Sequence, residues 1–157
     1  MVKVLFICLG NICRSPMAEG VFRNLVKNNR LDDRIFVDSA GTGSWHIGNT
    51  PDKRAQLATL KRGIDISDQR SRAITNQDII ASDYLISMDN SNIRKIKGMT
   101  MTKYERKLFR FLEFHPNSSH NDIPDPYFGD SRDFDFALDL IEKASRGLLV
   151  HLKTSEY

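Results

Sequence analysis

One stretch near the start limits what this chain can fold into more than any other: Val4-Leu5-Phe6-Ile7-Cys8, then Leu9-Gly10-Asn11-Ile12-Cys13, then Arg14-Ser15-Pro16-Met17-Ala18. An unbroken apolar run of this kind reads as a strand over residues 3–8 buried on both faces, and such strands belong to parallel sheets covered by helices. Pro16 suits the first turn of a helix, and Met17, Ala18, Val21, Phe22 and Leu25 recur at helical spacing, which predicts a helix over residues 15–27. Strand, short loop and helix therefore come directly one after another. In such a turn successive backbone N–H groups can point inward, and the helix N-terminus adds about half a positive charge. The loop is a cradle for an anion.

Reactive groups stand at both ends of that cradle. Cys8 lies where the strand stops, and thiolates are favoured beside arginine and at helix N-termini. Arg14 offers a planar fork matched to two oxygens of a phosphate, and the Ser15 hydroxyl is placed to donate to a departing sulfur. A buried core cysteine ahead of an ordinary helix would account for Cys8 alone. It would leave Gly10, Asn11, Arg14 and Ser15 without a purpose.

The remaining pattern alternates strands and helices. Residues 35–41 read as a second strand entering a glycine-rich loop, completing a β-α-β unit whose right-handed crossover places reactive groups beyond the carboxyl ends of the strands. Thr50, Pro51 and Asp52 predict a helix over residues 51–62, with Pro51 in the first helical position and Gly63 as the stop. Thr75 and Asp78 form a capping box before Ile79, and strands are expected over residues 84–88 and 107–112. Phe134, Leu138, Ile141, Ala144, Leu148 and Leu152 mark a long amphipathic helix from residue 131 to about 152, despite Gly147. The expected class is α/β: a single domain over residues 1–157 with a four-stranded parallel sheet flanked by helices on both faces.

Composition then excludes several functions. A chain of 157 residues with 40% hydrophobic content and a formal net charge of +3 suits one domain with a sizeable core. No apolar run approaches ~20 residues, and no signal or lipidation motif opens the chain, so no membrane partner and a cytoplasmic location are expected. The two cysteines, Cys8 and Cys13, lie too close to staple a fold. His46, His115, His120 and His151 show no metal-ligand spacing, so no metal is expected, and Gly10 lacks the following Gly-Lys of a nucleotide loop. Basic residues cluster between Arg94 and Arg110, and the aromatics among them, Tyr104 and Phe109, follow no known nucleic-acid-binding pattern, so the run is expected to steer acidic phosphopeptides and not to bind nucleic acid.

The spacing Cys-x5-Arg-Ser resembles the phosphate loop of cysteine-dependent tyrosine phosphatases, and the run from Cys8 to Glu19 is similar to the low-molecular-weight branch of that group. The resemblance implies strand order 2-1-3-4, no cofactor, and a phosphocysteine mechanism. Cys8 would be the nucleophile, and Arg14 with the loop residues Leu9, Gly10, Asn11, Ile12 and Cys13 would hold phosphate. Asp125, in the Asp125-Pro126-Tyr127 run, matches the family's general acid. Trp45, Tyr127 and Phe128 would wall a slot deep enough for phosphotyrosine, and Ser39 and Asp89 match supporting positions. Phosphotyrosine proteins or small aryl phosphates are the implied partners, with inorganic phosphate or sulfate bound in the loop.

Two departures stand out: the family's histidine is missing from residues 68–72, and Phe128 replaces a second tyrosine. Cys13 is a candidate redox partner that would trap an oxidised Cys8 as a disulfide. An arsenate-reductase-like oxidoreductase and a non-catalytic phosphate-binding module are the alternatives. The first lacks further cysteines to pass on a disulfide, and Ile12, where arginine phosphatases of the family carry threonine, favours tyrosine.

Overall fold

Strand β1 (Val2–Cys8) is the inner strand from which the sheet grows: β2 (Ile35–Gly41) pairs with one edge and β3 (Tyr84–Ser87) with the other, both parallel. A short β4 (Leu108–Arg110) adds to β3, giving the order β2-β1-β3-β4, with every pairing parallel. This is a computed structural model that describes residues 1–156; Tyr157, the last residue of the domain expected over residues 1–157, lies outside them.

The period of two along β1 divides the interior. Val4, Phe6 and Cys8 face one layer, where α1 (Arg14–Asn28), α2 (Lys53–Leu60) and α5 (Ser131–Glu156) pack. Leu5 and Ile7 face the other, which buries Ile79 of α3 (Asn76–Ala81) and Ile96 of α4 (Asn90–Met99). Helices thus cover both faces of the sheet. Phe6 anchors the larger layer between Phe22 and Phe111, with ring centroids 5.6 and 5.0 Å away. Each such buried aromatic contributes about 2–3 kcal/mol.

Several expected boundaries shift. The helix expected over residues 51–62 is shorter: Asp52, not Thr50, is the cap, accepting from the Arg54 N–H, and Pro51 precedes the helix. The strand expected over residues 107–112 is reduced to β4, because 3-10 turns over Thr102–Lys107 and Phe111–Phe114 take the flanks. The strand expected over residues 84–88 ends at Ser87. Helix α4 has no counterpart among the elements expected from sequence; Asp89 and Asn92 form its reciprocal cap.

Gly147 has a packing reason. A Cβ there would collide with the Phe114 carbonyl oxygen, so the glycine lets α5 lie against the turn after β4, at a helix-propensity cost of about 1 kcal/mol. The basic residues between Arg94 and Arg110 fall on α4, the 3-10 turn and β4, on the edge of the sheet away from β2. Among the described residues no helix is long and apolar enough to cross a membrane.

Candidate active site

Residues 9–13 link the end of β1 to α1, and neighbouring main chain fixes their path. Thr42 N donates to Cys8 O and Gly43 N to Leu9 O, both at 2.9 Å. This approach is close enough that a Cβ on Gly41 would stand 2.8 Å from Leu9 O. Asn11 takes the left-handed conformation, φ 56°, which turns its amide back towards Cys8 Sγ at 3.3 Å. Cys13 occupies the cap position of α1, yet no side chain caps that helix. Its first N–H groups are left for an anion.

A hydrogen-bond network behind the loop runs from Arg72 through Asn11 to Glu19. Arg72 N donates to Asn11 Oδ1 at 3.0 Å, which orients the amide so that Nδ2 donates to Ser15 Oγ at 2.7 Å and to Ser39 Oγ at 3.0 Å. Ser39 in turn donates to Glu19 Oε1 at 2.7 Å. The Ser15 hydroxyl, which accepts from Asn11, lies 3.0 Å from Cys8 Sγ, and with the sulfur as a thiolate it is the hydroxyl that donates. Burial pushes the Glu19 carboxyl up, opposed by its bonds to Ser39 and Arg23.

Arg14 is 3% exposed, and Asp89 holds it in place: Nη1 lies 2.6 Å from Asp89 Oδ2 and also donates to Ile123 O at 2.9 Å. Nη2 stands 3.6 Å from Asp125 Oδ2. Asp125 itself is exposed on its turn and accepts from Tyr127 N at 3.2 Å. Burial, reinforced by the Asp52 charge, pushes the Cys13 thiol well up, whereas the Arg54 charge opposes it; both cysteines are free.

These parts meet in one pocket of about 200 Å³ lined by Cys8, Leu9, Gly10, Ile12, Cys13, Arg14, Trp45, His46, Asp125, Tyr127 and Phe128. Trp45 is 70% exposed at its rim, its ring folded over Gly43, where a side chain would leave it no room. Phe128 is more exposed still and meets Tyr127 edge to face, centroids 4.9 Å apart. Asn11, Ser15, Ser39 and Asp89 do not line the pocket; they stand behind it.

Four contributors are not legible as site residues in the sequence. His46 closes the mouth opposite Tyr127, ring centroids 6.5 Å apart, whereas its sequence context raises only the question of metal ligation. Ser71 Oγ donates to Gly10 O at 3.0 Å, and Gln69 Nε2 to Pro16 O at 3.1 Å, so the segment without the family histidine still braces the loop. Glu19 completes the relay through Ser39. Glu19 closes the run that resembles the family and Gln69 and Ser71 lie in the segment lacking its histidine, but nothing in the sequence gives any of them, or His46, a specific role.

A Cys-x5-Arg loop at the carboxyl end of the central strand of a parallel α/β sheet defines a phosphate-handling site of the cysteine-dependent phosphatase type. Similarity to known proteins agrees with that class. A family model for low molecular weight phosphotyrosine protein phosphatase matches residues 3–156. The low molecular weight protein-tyrosine-phosphatase YfkJ of Bacillus subtilis is 39% identical over 153 residues, 98% of this chain and 97% of that one. The low molecular weight phosphotyrosine protein phosphatase of Homo sapiens is 38% identical over 148 residues, 94% and 93% of the two chains. A crystal structure of a protein tyrosine phosphatase from Entamoeba histolytica, with Hepes in its active site, superposes with a TM-score of 0.95 at 34% identity, covering 100% of both chains. The chain belongs to the low molecular weight phosphotyrosine protein phosphatase family, enzymes whose typical mechanism is cysteine-dependent. Neither the oxidoreductase nor the non-catalytic alternative is favoured by these likenesses.

Proposed function

We propose that this chain hydrolyses phosphotyrosine and related aryl phosphate monoesters through a phosphocysteine on Cys8, with Asp125 as general acid and then base. The carrying observation is the meeting of Cys8, Arg14 and Asp125 in one pocket walled by Trp45, Tyr127 and Phe128. The sulfur attacks phosphorus as the P–O bond to the aryl group breaks, and protonated Asp125 delivers its proton to the leaving oxygen. Because Nη1 of Arg14 is taken by Asp89 and Ile123, Nε and Nη2 remain to grip the equatorial oxygens beside the loop amides. A water then attacks phosphorus, giving a proton to Asp125, and the sulfur departs as a thiolate accepting from Ser15. Inorganic phosphate leaves.

The aromatic rim supports aryl over alkyl esters, since a phosphoserine has no ring to fill it and too short a stem to reach Cys8. The two free thiols support a protective role for Cys13. A peroxide would oxidise the Cys8 thiolate to a sulfenic acid, being reduced to water or an alcohol, and the sulfenic acid would condense with the Cys13 thiol, forming the disulfide and releasing water.

Steady-state hydrolysis of an aryl phosphate with chelator present tests the proposal. Turnover that is abolished by Cys8→Ser and slowed about 100-fold or more by Asp125→Ala is expected. Full activity in Cys8→Ser, or none in folded and reduced wild type, would overturn it.

A further inference from the structure

The reading of Asp125 as general acid leaves open what holds an exposed carboxyl in place. One side of its loop is anchored at Ile123, whose N–H donates to Met88 O at 2.9 Å and whose carbonyl accepts from Arg14. The other side is held from α2. Asp52 N donates to Ile12 O at 2.8 Å, which ties this residue to the phosphate loop itself. Its carboxylate grips Arg54 at two points, Nε to Oδ1 at 3.0 Å and Nη2 to Oδ2 at 2.9 Å. Arg54 then reaches across the cleft, donating from Nη2 to Tyr127 O at 2.9 Å and from Nη1 to Gly129 O at 3.0 Å. The ring of Phe134 lies 4.7 Å from its Cζ, and that of Tyr127 5.7 Å.

We propose that Asp52 and Arg54 form a strut that sets the distance between the phosphate loop and the acid-bearing loop, making both of them positioning residues for the proton transfer by Asp125. All three guanidinium nitrogens are engaged, so the group has little freedom to swing. Tyr127, whose carbonyl it holds, also supplies the N–H that orients Asp125 Oδ1. A displacement of about 1 Å at a reacting group can cost on the order of 100-fold. That cost is felt only when the leaving group needs the proton.

The test compares two substrates, one whose phenolate leaves poorly and one whose phenolate leaves without help: phenyl phosphate and 2,4-dinitrophenyl phosphate. Arg54→Ala is expected to lower kcat/KM for phenyl phosphate by about tenfold or more, and for the dinitrophenyl ester by less than about threefold, with inhibition by inorganic phosphate unchanged. Arg54→Lys and Asp52→Asn, milder changes, should show the same selectivity at smaller size, and they carry the test if Arg54→Ala does not fold. In the Asp125→Ala background Arg54→Ala should add nothing on phenyl phosphate. Equal losses on both substrates, or additive losses in the double variant, would overturn the strut. If Asp125→Ala alone fails to separate the substrates, it is the general-acid reading that has failed, and the strut falls with it.

Discussion

Arg14 Nη1 lies 2.6 Å from Asp89 Oδ2 across 75 positions of sequence, so the arginine of the phosphate loop is held by the residue that caps α4. The two functions of Asp89 share one carboxylate: Oδ1 accepts from Asn92 N at 2.9 Å while Oδ2 meets the guanidinium. Removing it strands a buried charge and uncaps a helix at once. Asp89→Ala is expected to lose about 3 kcal/mol of stability and to bind phosphate more weakly. Chemical denaturation and phosphate inhibition measure both, and wild-type phosphate affinity in a folded Asp89→Ala would contradict the role given to the pair.

Ser15 presents a separable case, because its hydroxyl bonds the sulfur without lining the pocket. A hydrogen bond to a charged sulfur contributes about 1.5–3 kcal/mol, so Ser15→Ala should slow breakdown of the phosphocysteine by roughly tenfold to a hundredfold. Rapid-quench analysis should then find phosphoenzyme accumulating. An unchanged steady-state level of that intermediate would remove Ser15 from the second step.

Trp45 belongs to the rim, not to the core, being 70% exposed. Trp45→Ala is therefore expected to change stability by less than about 0.5 kcal/mol. KM for aryl phosphates should rise severalfold, while hydrolysis of a small alkyl phosphate changes little. Equal effects on both ester classes would argue that the indole shapes the loop and not the substrate slot.

Hydrogen bonds from Arg54 hold the Asp52 carboxyl below its usual range. A group depressed in the folded state stabilises fully above its unfolded pKa of about 3.9, and that contribution fades as pH falls through the lower folded value. The stability gap between wild type and Asp52→Asn should accordingly be constant from about pH 5 to 7 and shrink below about pH 4. Urea midpoints across that range read it directly. A gap that instead widened in acid would mean that the carboxyl is not held low by Arg54.

Much of the site is legible in the sequence because it is local. The five residues between Cys8 and Arg14 allow little but a strand-to-helix loop, and the second strand is expected at residues 35–41, where β2 lies. The Thr75–Asp78 capping box and the long final helix are also local signals, carried by near neighbours on one turn or one face. The rim position of Trp45 agrees with the slot wall that the resemblance implies.

Helix α4 is hard to see in the sequence because its apolar face is narrow, with Ile96 its only fully buried apolar side chain, and because its capping residue Asp89 also matches a motif of the site. The helix at residues 53–60 is misplaced at its start because Pro51 imitates a first-turn proline. The chain order by itself predisposes Cys8, Asn11, Arg14 and Ser15 to share one turn, since backbone preferences act over a few residues. Only the tertiary structure brings Asp89 to Arg14, Arg72 to Asn11, and Arg54 to the carbonyl of Tyr127, 73 positions away. Those meetings depend on strand order, register and the packing of α2 and α5 over the sheet, which are properties of the whole chain's burial and not of any segment within it.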